Sequence, residues 1–322
     1  MPNGPIWQAI AEGLELQLTN IFPDLPFSNG TLIPTQGGLT PGKDQVNQIF
    51  LGGASGPEAI LLAPGASDIP LTPISMTTES VPVIMAAKGY DVQWQAARAL
   101  NSLNIKEIVD DAKIRIVRFE IDRRLNRYAV YGEPVLKHTG LYNSPNVGFT
   151  AASFDPNTAT YQQWVTFLVD MILNSGLSPD GETILEPTTV LMSQKALLRA
   201  AQVMNPINGT VSALSAVRDQ LNSPDNGNLN IEFVRSPWSS AAMLELYKIF
   251  PAGNNKDRIV VYTKSDTVVL RRIEDAIAQL VDEDFLAPTQ ALTRIYPFFS
   301  CASSTMILNP AGIRYVDTVR AT

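Results

Sequence analysis

"NIKEIVDDAKIRIVRFEIDRRLNRYAVYGEPVLKHTGLYNSPNV", residues 104–147, has the clearest pattern in this 322-residue chain. Its apolar residues recur with the three- and four-residue spacing of one helix face, at positions 105, 108, 109, 112, 116, 119, 121, 125, 128 and 129. Asn104 suits an N-cap, and Glu107 completes a capping box. Gly132 and Pro134 end the pattern. The spacing predicts a helix of about 28 residues, roughly 40 Å long at ~1.5 Å per residue.

Charged residues line the sides of this helix, and a second helical pattern precedes it. Opposite charges four residues apart predict three ion pairs on its solvated sides, namely Lys106–Asp110, Asp111–Arg115 and Glu120–Arg124. Upstream, "YDVQWQAARALNSLN" (90–104) predicts a second, shorter helix.

Residues 45–88 change to apolar runs that are broken by turns. The centre, "APGASDIP" (63–70), is a turn cluster between two extended runs, which predicts a long hairpin. Because proline cannot donate to a strand ladder, its recurrence indicates an edge or free-standing hairpin, with Pro64, Pro70, Pro73 and Pro82 as the prolines concerned. An isolated hairpin is marginal in water. We therefore expect it to lie on another surface, such as a neighbouring subunit, with Ile69 and Leu71 near its tip as contacts.

The two ends of the chain differ in character. Residues 1–40 are rich in proline and glycine, which predicts an extended arm. After Asp155 the pattern alternates between helix and strand. It predicts a helix over 159–176 ended by Gly176, a strand and a helix over 188–205, a strand over 229–238, a pair of strands over 257–274 with a turn at 264–266, and two strands over 293–317 joined near 309–312.

The composition is that of a globular chain, with 45% hydrophobic and 17% charged residues. No run approaches the ~18 apolar residues of a transmembrane helix. The net charge is −7 and no segment concentrates basic residues, so specific nucleic-acid recognition is not expected. One cysteine excludes an internal disulfide framework and suits assembly in a reducing cytoplasm.

Residues that could carry catalysis are few. His138 and Cys301 are the only histidine and cysteine. The sequence has no Gly-x-Ser-x-Gly elbow, P-loop or Gly-x-Gly-x-x-Gly, and one histidine with one cysteine does not make a zinc site. We interpret His138 as an exposed loop histidine, Cys301 as a buried small hydrophobe, and the acidic run "VDEDF" (281–285) as a solvated loop. The sequence therefore predicts no catalytic, cofactor-binding or metal site.

The order of these elements resembles the major capsid proteins of tailed phages, which have the Hong Kong 97 or Johnson fold. The resemblance rests on residues 77–147, on "PTTVLMSQKALLRA" (187–200) and on "SSTMILNPAGIRYVD" (303–317). In that family the hairpin is the E-loop and the long helix is the spine. A Gly-Leu-x-Asn segment follows the spine, as Gly140, Leu141 and Asn143 do here.

The resemblance implies an α+β fold of the Hong Kong 97 type in five segments. These are an N-terminal arm (1–40), an extended E-loop hairpin (41–90), a peripheral domain with the spine helix (91–154), an α/β axial domain (155–290) and return strands to the peripheral domain (291–322).

The resemblance also implies a structural role without enzyme activity or cofactors. The chain would self-assemble, through pentamers and hexamers, into the icosahedral shell around a double-stranded DNA genome, with its arm and hairpin lying on neighbouring subunits. Its partners would be a separate scaffolding protein, a portal and a decoration or cement protein. Contact with packaged DNA would be non-specific, and no membrane would be involved. We expect the protein in the virion, after assembly in the host cytoplasm.

Two departures from the family pattern refine these expectations. About 100 residues precede the spine, and the arm and hairpin use them all, so we expect any scaffold to be a separate protein. Some relatives cross-link an E-loop lysine to a neighbour's asparagine. Here Lys43 lies at the hairpin base and no lysine lies near the tip, so we expect non-covalent contacts instead.

Two alternatives stay open at the level of sequence. An encapsulin-like nanocompartment shell shares the fold but holds an enzyme cargo. An α/β enzyme with an acid-only site would need two inward-facing acids in a cleft, and it would leave the hairpin and the arm unexplained.

Overall fold

The structure is a computed structural model, and it describes residues 23, 25–39, 44–53, 74–93, 106–175, 185–207, 209–223, 229–274, 278–279 and 293–322. Its helices are α1 (Lys106–Tyr131), α2 (Tyr161–Leu173), α3 (Gln194–Gln202), α4 (Ala213–Leu221) and α5 (Ala241–Leu246). Its strands are β1 (Thr35–Gln36), β2 (Gln45–Gly53), β3 (Ile74–Gln93), β4 (Gly148–Ala151), β5 (Thr189–Met192), β6 (Glu232–Arg235), β7 (Lys256–Tyr262), β8 (Val269–Arg272), β9 (Ala278–Gln279), β10 (Thr293–Ser303), β11 (Met306–Ile307) and β12 (Ile313–Val319).

Helix α1 confirms the predicted long helix. It has 26 residues, which is roughly 40 Å at ~1.5 Å per residue. Its apolar face buries Val117, Ile121 and Leu125 in one cluster with Ala86 of β3 and Phe298 of β10. The helix therefore packs one face on a sheet, which is how an amphipathic helix gains most of its stability. That face includes the predicted positions 121 and 125, but Val117 is buried in place of the predicted Ile116, which is 44% exposed.

Two predicted ion pairs on α1 are wrong. Asp111–Arg115 is not among the ion pairs of the described residues, and Glu120–Arg124 is replaced by other pairs. Glu120 pairs with Arg123 at 2.8 Å, and Arg124 pairs with Glu133 beyond the end of the helix. Residues three apart on a helix are also neighbours, so Arg123 can take the carboxylate that was assigned to Arg124.

A five-stranded mixed sheet lies in the second half of the chain, in the order β4-β12-β7-β5-β6. Strand β5 and most of β7 are buried without alternation, which is typical of strands covered on both faces. Val190 and Val261 face a cluster formed with α2, α3 and α4. Leu191 and Val260 face the opposite cluster, which includes the end of α1. This sheet is therefore the centre of a three-layered body.

A four-stranded sheet, β2-β3-β10-β9, extends from that body. Strand β3 is 20 residues long and changes its partner along its length. Residues 74–82 pair with β2, and residues 83–93 pair with β10, both antiparallel. Pro82 lies at the change of partner, where a residue without an N–H donor disturbs the ladder least.

Residues 25–39 of the predicted arm pack into their own chain. Phe27, Leu32 and Ile33 are buried in the cluster that contains the end of α1, and β1 pairs in parallel with β8. The expectation that this part of the arm lies on a neighbouring subunit is therefore wrong. The physical reason is that its apolar side chains complete the core of the chain that carries them.

Other local predictions need correction. Residues 90–93 belong to β3 rather than to a helix, because they pair with Thr293–Tyr296 of β10; residues 94–105 lie outside the described part. Helix α2 ends at Leu173, before the predicted stop at Gly176. The strands predicted over 257–274 and over 293–317 exist, but neither pair forms a hairpin. β7 and β12 pair with each other, while β8 and β10 belong to other sheets.

None of the described helices has the length and apolar content needed to cross a membrane. The five-segment division of the chain stays a prediction. The strands of its last segment, 291–322, belong to different sheets. Strand β10 pairs with β3, whereas β12 lies inside the five-stranded sheet.

Candidate assembly surfaces

The hairpin ribbon, defined here as β2 paired with residues 74–82 of β3, has no third strand among the described residues. Its register runs from Gln45 opposite Pro82 to Gly53 opposite Ile74. The Ser80 hydroxyl donates to the Gln45 side-chain oxygen at 2.6 Å. The two paired strands confirm the predicted hairpin. Its turn lies outside the described residues, so the contact role of Ile69 and Leu71 stays a prediction.

The base of the ribbon is fixed in the body of the molecule. The N–H of Val83 donates to the carbonyl of Asp44 at 2.9 Å, and that of Ser304 donates to the carbonyl of Pro82 at 3.0 Å. Val81 is buried together with Leu270 and Met306. The ribbon therefore extends from an anchored base, and among the described residues its two strands pair only with each other.

The segment after α1 folds back on the last turn of the helix. Gly132 has φ +68°, and a Cβ there would lie 2.1 Å from the carbonyl oxygen of His138. A Cβ on Gly140 would lie 2.5 Å from the carbonyl of Val130. The Asn143 amide donates to the carbonyl of Tyr131 at 3.0 Å, and its oxygen accepts from the N–H of Gly140 at 2.6 Å. Glycine at both positions, with asparagine at 143, therefore allows this close return.

A buried ion pair joins this return segment to the five-stranded sheet. Arg258 of β7 donates to both carboxylate oxygens of Asp317 on β12, at 2.7 and 2.8 Å. Its third contact is the carbonyl of Tyr142 at 2.6 Å. The guanidinium also lies 4.7 Å from the Phe250 ring centroid and 4.8 Å from that of Tyr315. A bidentate pair with these additional partners offsets much of the cost of burying two charges.

A second buried arginine joins three segments. Arg271 of β8 is fully buried and donates to the carbonyl of Leu125 on α1 at 2.8 Å. It also donates to the carbonyls of Ser303 on β10 at 3.3 Å and of Phe27 at 3.4 Å. Burial lowers the pKa of Arg271 to about 10, so it stays charged near neutral pH. A weak sequence signal marks both arginines, since Arg258 directly precedes the apolar run 259–262 and Arg271 directly follows the apolar run 268–270.

Several large apolar side chains are exposed at different places on the surface, and these are Met85, Ile116, Val135, Leu136, Phe149, Leu173, Leu198, Met204, Ile207, Leu246 and Val319. Val135 and Ile207 are the most exposed, at 86% and 89%. Val135 adjoins Leu136 in the short turn after α1. Exposed apolar groups that cluster mark interaction surfaces, whereas single ones are ordinary. The Val135–Leu136 pair is therefore a candidate subunit contact.

His138 and Cys301, the two residues considered for catalysis, are held by packing and hydrogen bonds within the fold. His138 is half-buried, and its Nδ1 shares a 2.9 Å hydrogen bond with the Tyr128 hydroxyl, so the interpretation as an exposed histidine is wrong. Burial lowers the pKa of His138. Cys301 is buried in β10, which confirms its interpretation as a small core residue. The described residues contain no group of three side chains suited to hold a metal, and the run 281–285 lies outside them.

Comparison with solved structures shows the same fold in phage capsids. The capsid protein of Myoviridae phage XM1 is 13% identical, with a TM-score of 0.66 over 96% of this chain and 98% of that one. A capsid protein from an empty GTA particle is 11% identical, with a TM-score of 0.57 over 97% and 98%. A protein of Mycobacterium phage Bobi is 12% identical, with a TM-score of 0.55 over 97% of both chains. These likenesses establish the Hong Kong 97 type of fold.

Sequence comparison gives the family. None of the curated protein sequences matches this chain. The model of the family described as "Major capsid protein", however, matches residues 58–319, from inside the hairpin to the last strand. Because this match covers most of the chain and the fold agrees over nearly its whole length, the chain belongs to the major capsid protein family.

Proposed function

We propose that many copies of this chain assemble, as pentamers and hexamers, into an icosahedral shell that encloses the double-stranded DNA of a tailed phage. The observation that carries the proposal is the hairpin ribbon, which has two strands and an anchored base. A two-stranded hairpin is marginal in water by itself. A neighbouring subunit beneath it would supply the missing apolar contact.

The contact that we propose for the ribbon lies at its tip, at Ile69 and Leu71. Burial of apolar surface contributes ~25 cal/mol per Å², so each such contact is modest. A closed shell repeats the contact many times, and multivalency makes the sum strong without any strong individual site. The proposal needs no covalent cross-link between subunits.

The proposed partners follow from this role. A separate scaffolding protein would guide assembly, a portal would occupy one vertex, and a decoration or cement protein would reinforce the outside. The protein would assemble in the host cytoplasm and remain in the virion. We further propose that it is not an enzyme and needs no cofactor, because His138 forms a hydrogen bond with Tyr128 and Cys301 is buried in the core.

Negative-stain electron microscopy of the purified protein, beside its sedimentation profile, tests the proposal. We expect closed shells, or rings of five and six subunits. A monodisperse monomer or dimer, obtained also when the phage's scaffolding protein is co-expressed, would contradict it. Nuclease-protected DNA in the natural particle would support a virus, and an enzyme cargo without DNA would support the nanocompartment alternative.

A further inference from the structure

A cleft of about 470 Å³ lies between α1 and the segment that contains α5. Three arginines of α1 line it together with one carboxylate and two aromatic rings. These residues are Glu120, Arg123, Arg124, Arg127, Trp238 and Tyr247, and we call this site the arginine cleft. None of its lining residues belongs to the hairpin ribbon or to the buried Arg258–Asp317 pair.

The arginine cleft is basic in an acidic protein. Residues 113–127 of α1 carry six Lys or Arg against two Asp or Glu, a net charge of +4, whereas the whole chain has a net charge of −7. Three of those six basic residues line the cleft. Such a local reversal of charge concentrates anions at one place on the surface.

The arginines are held in place by groups of their own chain. Arg123 pairs with Glu120 at 2.8 Å, and Arg124 pairs with Glu133. The Arg127 guanidinium lies 5.6 Å from the Tyr247 ring centroid. The neighbouring aromatic packing is fixed in turn, because the Tyr131 hydroxyl donates to the carbonyl of Trp238. The cleft is therefore organised before any ligand binds, which lowers the entropic cost of binding.

The arginines keep unused hydrogen-bond donors after these internal contacts are made. A guanidinium has five N–H donors, and one carboxylate contact uses at most two of them. The Arg123 side chain is 61% exposed despite its ion pair. Arginine donors match the oxygens of phosphate in pairs, so the unused donors suit a phosphate-bearing ligand.

We propose that the arginine cleft binds phosphate groups of the packaged duplex DNA, and that this face of α1 therefore looks into the shell. The inference rests on the proposed function, which supplies the DNA. Duplex DNA carries one charge per ~1.7 Å of its axis and is recognised by charge density alone when no base is read. An acidic segment of a second copy, such as residues 281–285, is the rival ligand. We favour phosphate because Glu120 and Glu133 already supply carboxylates to two of the arginines.

The test measures how unassembled full-length protein binds a fluorescent 20-base-pair duplex by anisotropy at several salt concentrations. Each phosphate contact contributes about 0.9 to the slope of log affinity against log salt. We expect Arg123→Gln with Arg127→Gln to lower the magnitude of that slope by about two. Arg115→Gln with Arg118→Gln is the control, because it removes the same charge from exposed positions of the same helix. It should lower the slope by less than one. Equal slopes in all three proteins, or equal losses in the two variants, would overturn the proposal.

Two further measurements keep the outcomes separate. A peptide of residues 279–288 is tested in the same way, and arginine-dependent binding of the peptide without binding of the duplex would assign the cleft to a second copy and overturn the proposal. If the double variant does not fold by circular dichroism, Arg123→Gln alone should lower the slope by about one. Electron microscopy of the wild type and both variants reports on shell formation independently. A failure of the proposed function is thus seen in the particles, and a failure of this inference is seen in the binding slopes.

Discussion

At the scale of single residues, the return segment after α1 depends on the absence of a side chain. Gly132 combines a left-handed backbone, φ +68°, with a backbone oxygen where a Cβ would be. Gly253 has a similar φ of +82°, but nothing lies within 4 Å of its Cβ position. An alanine at Gly253 would therefore cause backbone strain alone, whereas an alanine at Gly132 would cause backbone strain and a steric clash.

Gly132→Ala should destabilise the protein more than Gly253→Ala. A left-handed conformation costs a non-glycine residue about 1–2 kcal/mol, and we expect Gly253→Ala to lose about that much. Gly132→Ala must also displace the return segment, so we expect a loss of roughly 3 kcal/mol or more, in the range of other disruptive substitutions. Urea unfolding of the unassembled protein, followed by fluorescence, measures both. Equal losses would show that the close return at Gly132 does not constrain the fold.

Buried arginines act at the same scale as links between segments. Arg271 connects carbonyls of α1, β10 and the segment at Phe27. Arg258 connects Asp317 with the carbonyl of Tyr142. A buried donor that satisfies several carbonyls is costly to remove, because each buried carbonyl left without a hydrogen-bond partner costs about 1–3 kcal/mol. These two side chains therefore fix the relative positions of segments that are far apart in sequence.

At the scale of elements, α1 and β3 organise the extended sheet. One face of α1 packs on β3 and β10 through Val117, Ile121 and Leu125, while Ile116 on another face is 44% exposed. Strand β3 continues past this packed region into the hairpin ribbon. An intact α1 is thus the support on which the root of the ribbon rests.

Ile116→Pro should break α1 and reduce the yield of soluble protein. Proline in a helix interior removes a hydrogen bond and clashes with the preceding turn, at a cost of ~3 kcal/mol or more. Ile116→Ala is the matched control, because it shortens the same half-exposed side chain and leaves the backbone unchanged. We expect it to stay within about 0.5 kcal/mol of the wild type. Soluble yield and far-UV circular dichroism measure both, and a normal spectrum for the proline variant would mean that the helix is misplaced.

At the scale of the whole molecule, a compact body carries a projecting ribbon. The body has a mixed sheet with helices against one face and the end of α1 against the other. The ribbon has no third strand in the part of the chain that the structure describes. Within the described residues, the ribbon therefore presents unpaired strand edges, and such edges are places where another chain can pair.

Ile69→Asp with Leu71→Asp should leave the monomer folded and block shell assembly. The two positions are predicted to lie near the tip of the hairpin, and an aspartate buried there against a neighbouring subunit without a partner is costly. Ile69→Leu with Leu71→Ile keeps both positions apolar and should assemble normally. Sedimentation and electron microscopy count the particles, and circular dichroism checks the fold. Unchanged particles from the aspartate variant would show that the tip is not a contact.

Local patterns predicted much of this fold. The long helix, the paired strands of the hairpin and the strand and helix at 189–202 follow from periodicity and turn residues. Helix α4 was missed although Ser212 caps it and Ala213, Leu214, Val217 and Leu221 form its buried face. It is nine residues long, so its periodic signal is short. The arginine cleft was missed because α1 is separated from Trp238 and Tyr247 by more than 100 residues in sequence.

Local sequence signals were enough to place α1 and its stop at Gly132, the paired strands of the hairpin, and the Gly-Leu-x-Asn segment at residues 140–143. Which distant segments meet became clear only from the folded chain. It changes the partner of β3 at Pro82, returns β12 to the five-stranded sheet, and buries Phe27 and Arg271 together. The physical reason is that periodicity and turn chemistry act over a few residues. Strand partners and buried charges depend instead on packing between segments, whose sequence separation leaves no local mark.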